Sequence, residues 1–165
     1  MDTKILKMLS IGIKPSVEAV DGKVVISNSQ EIFRLFIDEN FKKLDLNEIQ
    51  VRTPKTFFDA AEIVSDTKLQ QIFFAVNPDL DKIVMTQHQI VEFCQKNRAW
   101  LSQGKCVNFF LIKSKKSIFP KSPNNYFVVI AHCLYNGLSV RVSQFDCNSA
   151  WHGNCRHRVI FPYHI

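Results

Sequence analysis

Cys147, His152, Cys155 and His157 are side chains of zinc-binding types, and they fall in the stretch CNSAWHGNCRHR with the spacing C-x4-H-x2-C-x-H. Cys155 and His157 could share a strand face, with His152, Gly153 and Asn154 turning back toward them. The spacing lacks the paired C-x2-C hooks of familiar zinc folds, so the stretch reads first as buried thiols and surface histidines, with zinc as the alternative and no cofactor required. Nucleophilic cysteine chemistry needs a histidine and an orienting acid or amide. Asp146 is the only acid after Glu92, and nothing sets it beside a Cys–His pair. The phosphate-loop, dinucleotide, zinc-protease and serine-hydrolase motifs are absent.

Cations interleaved with rings offer a second chemistry. Lys113, Lys115, Lys116 and Lys121 flank Phe119, and Arg156, His157 and Arg158 follow Trp151. Cationic groups hold phosphates while rings stack on bases, so these residues are candidates for contact with RNA, or with an acidic protein surface as the other anionic partner. No recognised RNA- or DNA-binding motif is present. Residues 1–100 carry 13 Lys/Arg against 14 Asp/Glu, whereas residues 101–165 carry 8 against 1. The net charge of +6 therefore arises in the last two-fifths, which also hold four of the five His and four of the five Cys, and a site is expected there.

CLYNGLSVRV, residues 133–142, must position two more such groups. Asn-Gly between strand-like runs signals a hairpin, because both turn positions need positive φ and these residues tolerate it. A two-residue loop at Asn136 and Gly137 pairs Tyr135 with Leu138, Cys133 with Val140 and Ala131 with Val142 on one face, and His132 with Arg141 on the other. The first face, completed by Phe127 and Val129, is apolar and turns to the core, burying Cys133. The second carries Val128, Ile130 and Phe145 beside His132 and Arg141. A guanidinium beside His132 favours neutral imidazole. The pair suits a phosphate or carboxylate, or general-base work. The plainer reading is an ordinary polar edge under a helix or loop.

The elements that must carry these groups follow from periodicity. SNSQEIFRLFIDENFKKL has Ser27 to Ser29 as a cap, and Phe33, Phe36, Ile37, Phe41 and Leu44 fall on one helical stripe. RTPKTFFDAAEIV, opened by Thr53-Pro54, gives helical spacing to Phe57, Ala61 and Val64. QQIFFAV reads as a buried strand or a helix. DKIVMTQHQIVEFCQKNRAWL reads as a short strand and then a helix capped at Thr86, with Ile90, Cys94 and Leu101 inward. CVNFFLI, YFVVIAHCL, LSVRVSQF and HRVIF are strands, and KSKKSIFPKSPNN is a long basic loop.

These readings give an α+β protein, a helix-rich N-terminal part (about 1–102) packed on a C-terminal antiparallel β-meander (about 105–165), as one domain over 1–165. No apolar run reaches the length of a signal peptide core or a membrane span, and the odd, irregularly spaced cysteines suit reduced thiols, so a soluble, cytoplasmic protein without membrane contact is expected.

NFFLIK, YFVVIAHCLYNGL and SVRVSQFDCNSAWHGNCRHRVIFP together resemble the C-terminal half of small uncharacterised bacterial proteins, in which a strand meander leads to a Trp and an R-x-R-V run. The resemblance rests on Asn108, Phe109, Phe110, Trp151, Arg156, Arg158 and Val159. It carries no assigned activity and implies that Trp151 and Arg158 belong to one feature, the ring packed by the guanidinium. The expected function is a non-enzymatic binding module for an anionic partner, through His132, Arg141, Lys115, Lys116, Trp151, Arg156, His157 and Arg158. The alternatives are a metal-independent nuclease or phosphoesterase using His and Arg, and a homo-oligomeric assembly module built on the Phe-rich helices.

Overall fold

Asn108–Lys113, Tyr126–Leu134, Gly137–Gln144 and Arg158–Pro162 are strands, as their β-branched and aromatic runs require. A computed structural model describes residues 2, 4–10, 12–115 and 125–163 and contains six further strands. In chain order the elements are β1 (Leu6–Met8), β2 (Ser16–Val17), β3 (Phe36–Ile37), α1 (Asn40–Lys43), β4 (Thr56–Ile63), β5 (Thr67–Lys68), α2 (Leu69–Val76), α3 (Gln87–Lys96), β6 (Asn108–Lys113), β7 (Tyr126–Leu134), β8 (Gly137–Gln144), β9 (Ala150–Trp151) and β10 (Arg158–Pro162). The main sheet runs β1–β4–β10–β6–β7–β8–β3, β2 also pairs with β4, and β5 pairs with β9 separately.

This order overturns the expected helix-rich N-terminal part. Among the described residues the fold is sheet-dominated, its α-helices have 4, 8 and 10 residues, and the first hundred residues supply half of the strands. The C-terminal part is not a plain meander either. β6, β7 and β8 are antiparallel neighbours, but β10 lies parallel to β6 and antiparallel to β4, inserted between them.

Two segments account for the misread helices. Residues 56–63 have a helix-like opening at Thr53-Pro54 and strong helix formers in Ala60, Ala61 and Glu62. Pairing with β1 on one side and β10 on the other overrides that preference. Phe58 and Ala60 face one core and Ala61 and Ile63 the other, so the alternation that marks a half-buried strand is missing. Residues 27–44 place Phe33 and Phe41 inside but leave Phe36 exposed. There the Ser29 hydroxyl donates to Val25 O and Asp38 Oδ1 accepts from Asn40 N–H, local bonds that compete with a continuous helix.

One face of the sheet carries α3 and the single turn α1, with Phe41 buried there, and the other carries α2. α3 brings Ile90, Phe93 and Cys94 onto Phe58, Phe110, Val129 and Val140, with Phe93 edge-on to Phe58 at 5.4 Å and to Phe110 at 5.9 Å. α2, the QQIFFAV segment, packs Leu69, Ile72 and Phe73 onto Phe109, Leu111, Val128 and Val159. The expected cap of α3 is in place: Thr86 Oγ1 accepts from Gln89 N–H at 3.2 Å and Gln89 Oε1 accepts from Thr86 N–H at 3.0 Å. No helix among the described residues is long and apolar enough to cross a membrane.

The hairpin differs from expectation by two residues. Cys133 pairs with Leu138, His132 with Ser139 and Ile130 with Arg141, so the turn is Tyr135-Asn136 and His132 is not opposite Arg141. Asn136 does not adopt positive φ, while Gly137 does, at 150°. A shift of two preserves the face of every side chain. Cys133 is therefore buried as expected, and His132, Ser139 and Arg141 share the opposite face.

The buried Gln87 side chain joins separate segments, its Oε1 accepting from Ile26 N–H at 3.0 Å and its Nε2 donating to Leu46 O. Gln87→Ala strands both backbone groups and should cost about 2–3 kcal/mol in urea denaturation. Gln95→Ala, on the exposed side of the same helix, should stay within about 0.5 kcal/mol. Equal midpoints for the two variants would refute the role given to Gln87.

Candidate functional site

Above the His132 face lies a pocket of about 540 Å³ lined by Asp38, Val107, Ile130, His132, Ser139, Arg141, Val142, Ser143 and Trp151. Three residues nominated from sequence, His132, Arg141 and Trp151, therefore meet in one concavity. β7 and β8 supply His132, Ser139 and Arg141 through their pairing, β9 supplies Trp151, and Asp38 follows β3 at the sheet edge.

The His132 Nε2 atom bonds to Gly104 O. A carbonyl only accepts, so Nε2 carries a proton and Nδ1 is the acceptor of the neutral ring. Ser139 stands directly opposite on the same face. The Arg141 guanidinium is exposed, lies 5.5 Å from the Phe36 ring centroid, and has no carboxylate partner among the described residues. Asp38 is occupied otherwise, its Oδ1 accepting from Asn40 N–H at 3.0 Å and its Oδ2 from Val142 N–H at 3.2 Å.

Trp151 packs edge-on against Phe109 at 4.8 Å and against the His157 ring at 5.2 Å, and its buried indole N–H has no acceptor among the described residues. His157 is buried, and its Nδ1 accepts from Val107 N–H at 3.0 Å. Burial pulls its pKa below 6.5, and the nearby His152 and His132 add to the shift. His157 thus braces the Trp151 wall from behind, while His132 faces the pocket.

The expected packing of Arg158 on Trp151 does not occur. Arg158 donates to Trp100 O at 2.9 Å and pairs with Glu62 at 3.5 Å, which makes it a brace between β10 and β4. Arg156 is an exposed cap in the left-handed region at φ 53°, with its carbonyl accepting from the Ser102 hydroxyl at 3.0 Å. Lys115 donates to Ile49 O at 3.1 Å, and Lys113 pairs with Asp81 at 2.8 Å. Lys113 ends β6, roughly 17 Å from Asn108 at about 3.3 Å per residue, and Lys115 lies two residues beyond it, so the two basic clusters do not form one surface. Lys116 lies outside the described residues.

The Cys/His quartet is dispersed onto separate partners. Cys147 Sγ lies 3.4 Å from Ser149 Oγ, and the Ser149 hydroxyl and backbone N–H, as donors to the thiolate, hold its pKa below the usual range. His152 Nδ1 lies 3.6 Å from Asp66, and Cys155 faces Asn154 Oδ1 at 3.6 Å. Among the described residues no three His, Cys, Asp or Glu side chains come together in a way that could hold a metal, and all five cysteines are free.

Sequence reasoning missed Ser139 and Asp38. Ser139 was legible only with the correct register, and Asp38 only once residues 36–37 were known to form an edge strand.

A depressed histidine pKa means that the unfolded chain binds the proton more readily, so His157 should cost stability as pH falls below about 6.5 and have no such effect above it. His157→Gln should remove that part of the pH dependence in urea melts at pH 5 to 8. Trp151→Phe, which deletes the orphaned N–H but keeps a ring, should fall within about 1 kcal/mol of the parent, whereas Trp151→Ala should cost about 3 kcal/mol. Equal losses from the two Trp151 variants would contradict this account of the wall.

No family model, curated protein or solved structure matches the chain.

Proposed function

We propose that the protein is a non-enzymatic binding module that holds an anionic group of its partner in the Arg141 pocket. The observation that carries this reading is an exposed guanidinium in a concave wall with no carboxylate paired to it among the described residues. Ser139 adds a hydroxyl donor and His132 its Nδ1, the ring atom not bonded to Gly104 O. Arg141 forms charge-assisted bonds with either phosphate or carboxylate. Nuclease or phosphoesterase chemistry draws less support. Such chemistry needs two histidines converging beside an arginine, whereas here His157 is committed to Val107 N–H behind Trp151. An assembly module built on Phe-rich helices also loses its basis, since Phe33 and Phe41 are buried within the chain itself.

Fluorescence-detected titration against two polyanions, oligouridine RNA and polyglutamate, tests the reading. At least one should bind at low salt, and Arg141→Ala should weaken it about tenfold or more, the value of a hydrogen bond to a charged group. No binding of either polyanion, or binding indifferent to Arg141→Ala, would refute it.

A further inference from the structure

Resting on that reading, we propose that the partner is single-stranded RNA, lying along the β8–β3 edge from the hairpin tip to the Arg141 pocket. Arg98, Arg34 and Arg141 contact its phosphates, and Tyr135 and Phe36 stack on its bases. The pocket does not stand alone. A second concavity of about 490 Å³ at the hairpin tip gathers Arg34, Gln95, Arg98, Tyr135 and Asn136 from three separate parts of the chain. A groove of about 590 Å³ runs beside residues 33–39 and joins the two, sharing Arg34 with the tip and Asp38 with the Arg141 pocket.

Aromatic rings stand along this path where cations do. The Tyr135 side chain is fully exposed at the turn, and Phe36 is 46% exposed with the Arg141 guanidinium over its ring. An apolar ring held wholly in water contributes nothing to folding, and alternating rings and guanidinium groups match the alternating bases and phosphates of an unpaired strand. An acidic protein would use the cations but leave the rings unexplained. The three concavities carry five cations, Arg34, Lys42, Lys43, Arg98 and Arg141, against Glu31, Asp38 and Glu39. Glu39 is paired with Lys43 at 2.9 Å and Asp38 takes two backbone N–H groups, so the uncompensated charge is positive. Within the pocket the Ser139 hydroxyl and the free Nδ1 of His132 supply a donor and an acceptor, the pair that a ribose 2′-hydroxyl requires.

The test is oligouridine RNA titrated at several salt concentrations, with oligodeoxyuridine and polyglutamate alongside. Three phosphate contacts give a log–log salt slope of about −2 at roughly −0.7 each. Arg34→Gln and Arg98→Gln should each reduce the slope by about 0.7. Tyr135→Ala should weaken binding about fivefold or more without changing the slope. Its melting temperature should match the parent's, because the ring buries nothing. Lys115→Gln, past the far end of β6, should leave the affinity within about twofold. Affinity unchanged in Tyr135→Ala, a loss in Lys115→Gln equal to that in Arg34→Gln, or equal affinity for the deoxy strand would overturn the proposal. Binding of polyglutamate through Arg141 without binding of RNA would overturn it while leaving the pocket reading intact. Silence from both polyanions would remove both.

Discussion

The first turn of α3, Gln87-His88-Gln89, ties segments distant in sequence to one helix start. Between β2 and β4 some forty residues include a 3-10 turn at Ile26–Asn28, a two-residue strand and a single turn of α-helix, so many of their backbone groups must find partners elsewhere. Gln87 bonds to Ile26 and Leu46, its own N–H donates to Gln50 Oε1 at 2.6 Å, His88 Nδ1 accepts from Gly22 N–H at 3.2 Å, and Gln89 Nε2 donates to Thr56 Oγ1 at 3.1 Å. The Gln87 and His88 side chains and the Gln87 N–H at one helix start thus anchor the irregular layer, and Gln89 ties the same turn to β4. Phe36 and Asp38, in the middle of that layer, complete the sheet edge where the site forms.

Covering both faces of the sheet governs the rest. α2 covers only part of its face, over Leu111, Val128 and Val159, and the far ends of β7 and β8 extend beyond it. His132, Ser139 and Arg141 occupy that uncovered end, so the pocket is a direct result of a short helix on a long hairpin. α2 ends at Asn77, extended with φ −156°, and the chain departs through Asn77-Pro78 to a 3-10 turn rather than extending the helix over the hairpin.

What the sequence revealed depended on whether partners were local. The strands β6, β7, β8 and β10 were legible because each is a continuous run of β-formers, and the α3 cap because its two bonds lie within one turn. β4 was not, since its strand character comes from neighbours roughly fifty residues before and one hundred after it. The hairpin register failed for a related reason: Asn136 and Gly137 suit a primed turn locally, but Leu35 packs at Gly137 and donates its N–H to Leu138 O at 3.0 Å, tying the turn to the edge segment. Face assignment survived because a slip of two residues cannot invert it. In the site, His132, Arg141 and Trp151 were legible as chemistry, whereas Ser139, Asp38, Arg34 and Tyr135 required the topology.

Charge distribution takes Lys113 and Arg158 out of the set of C-terminal cations that could meet an anion. The acids of the first hundred residues neutralise specific members of the basic half: Asp81 takes Lys113 and Glu62 takes Arg158. Each such pair crosses from an N-terminal acid to a C-terminal strand, so folding converts a sequence-wide excess into local ion pairs and leaves Arg141 among the exceptions. The exceptions, not the total, define where an anion can dock. A guanidinium without a carboxylate remains fully able to form charge-assisted bonds, and near a concave wall such a bond is screened less than on open surface. Arg34 and Arg98, contributed by the nominally neutral half, meet the same condition at the hairpin tip. The basic character of the site is thus shared between both halves of the chain, and it follows the β8–β3 edge where they join.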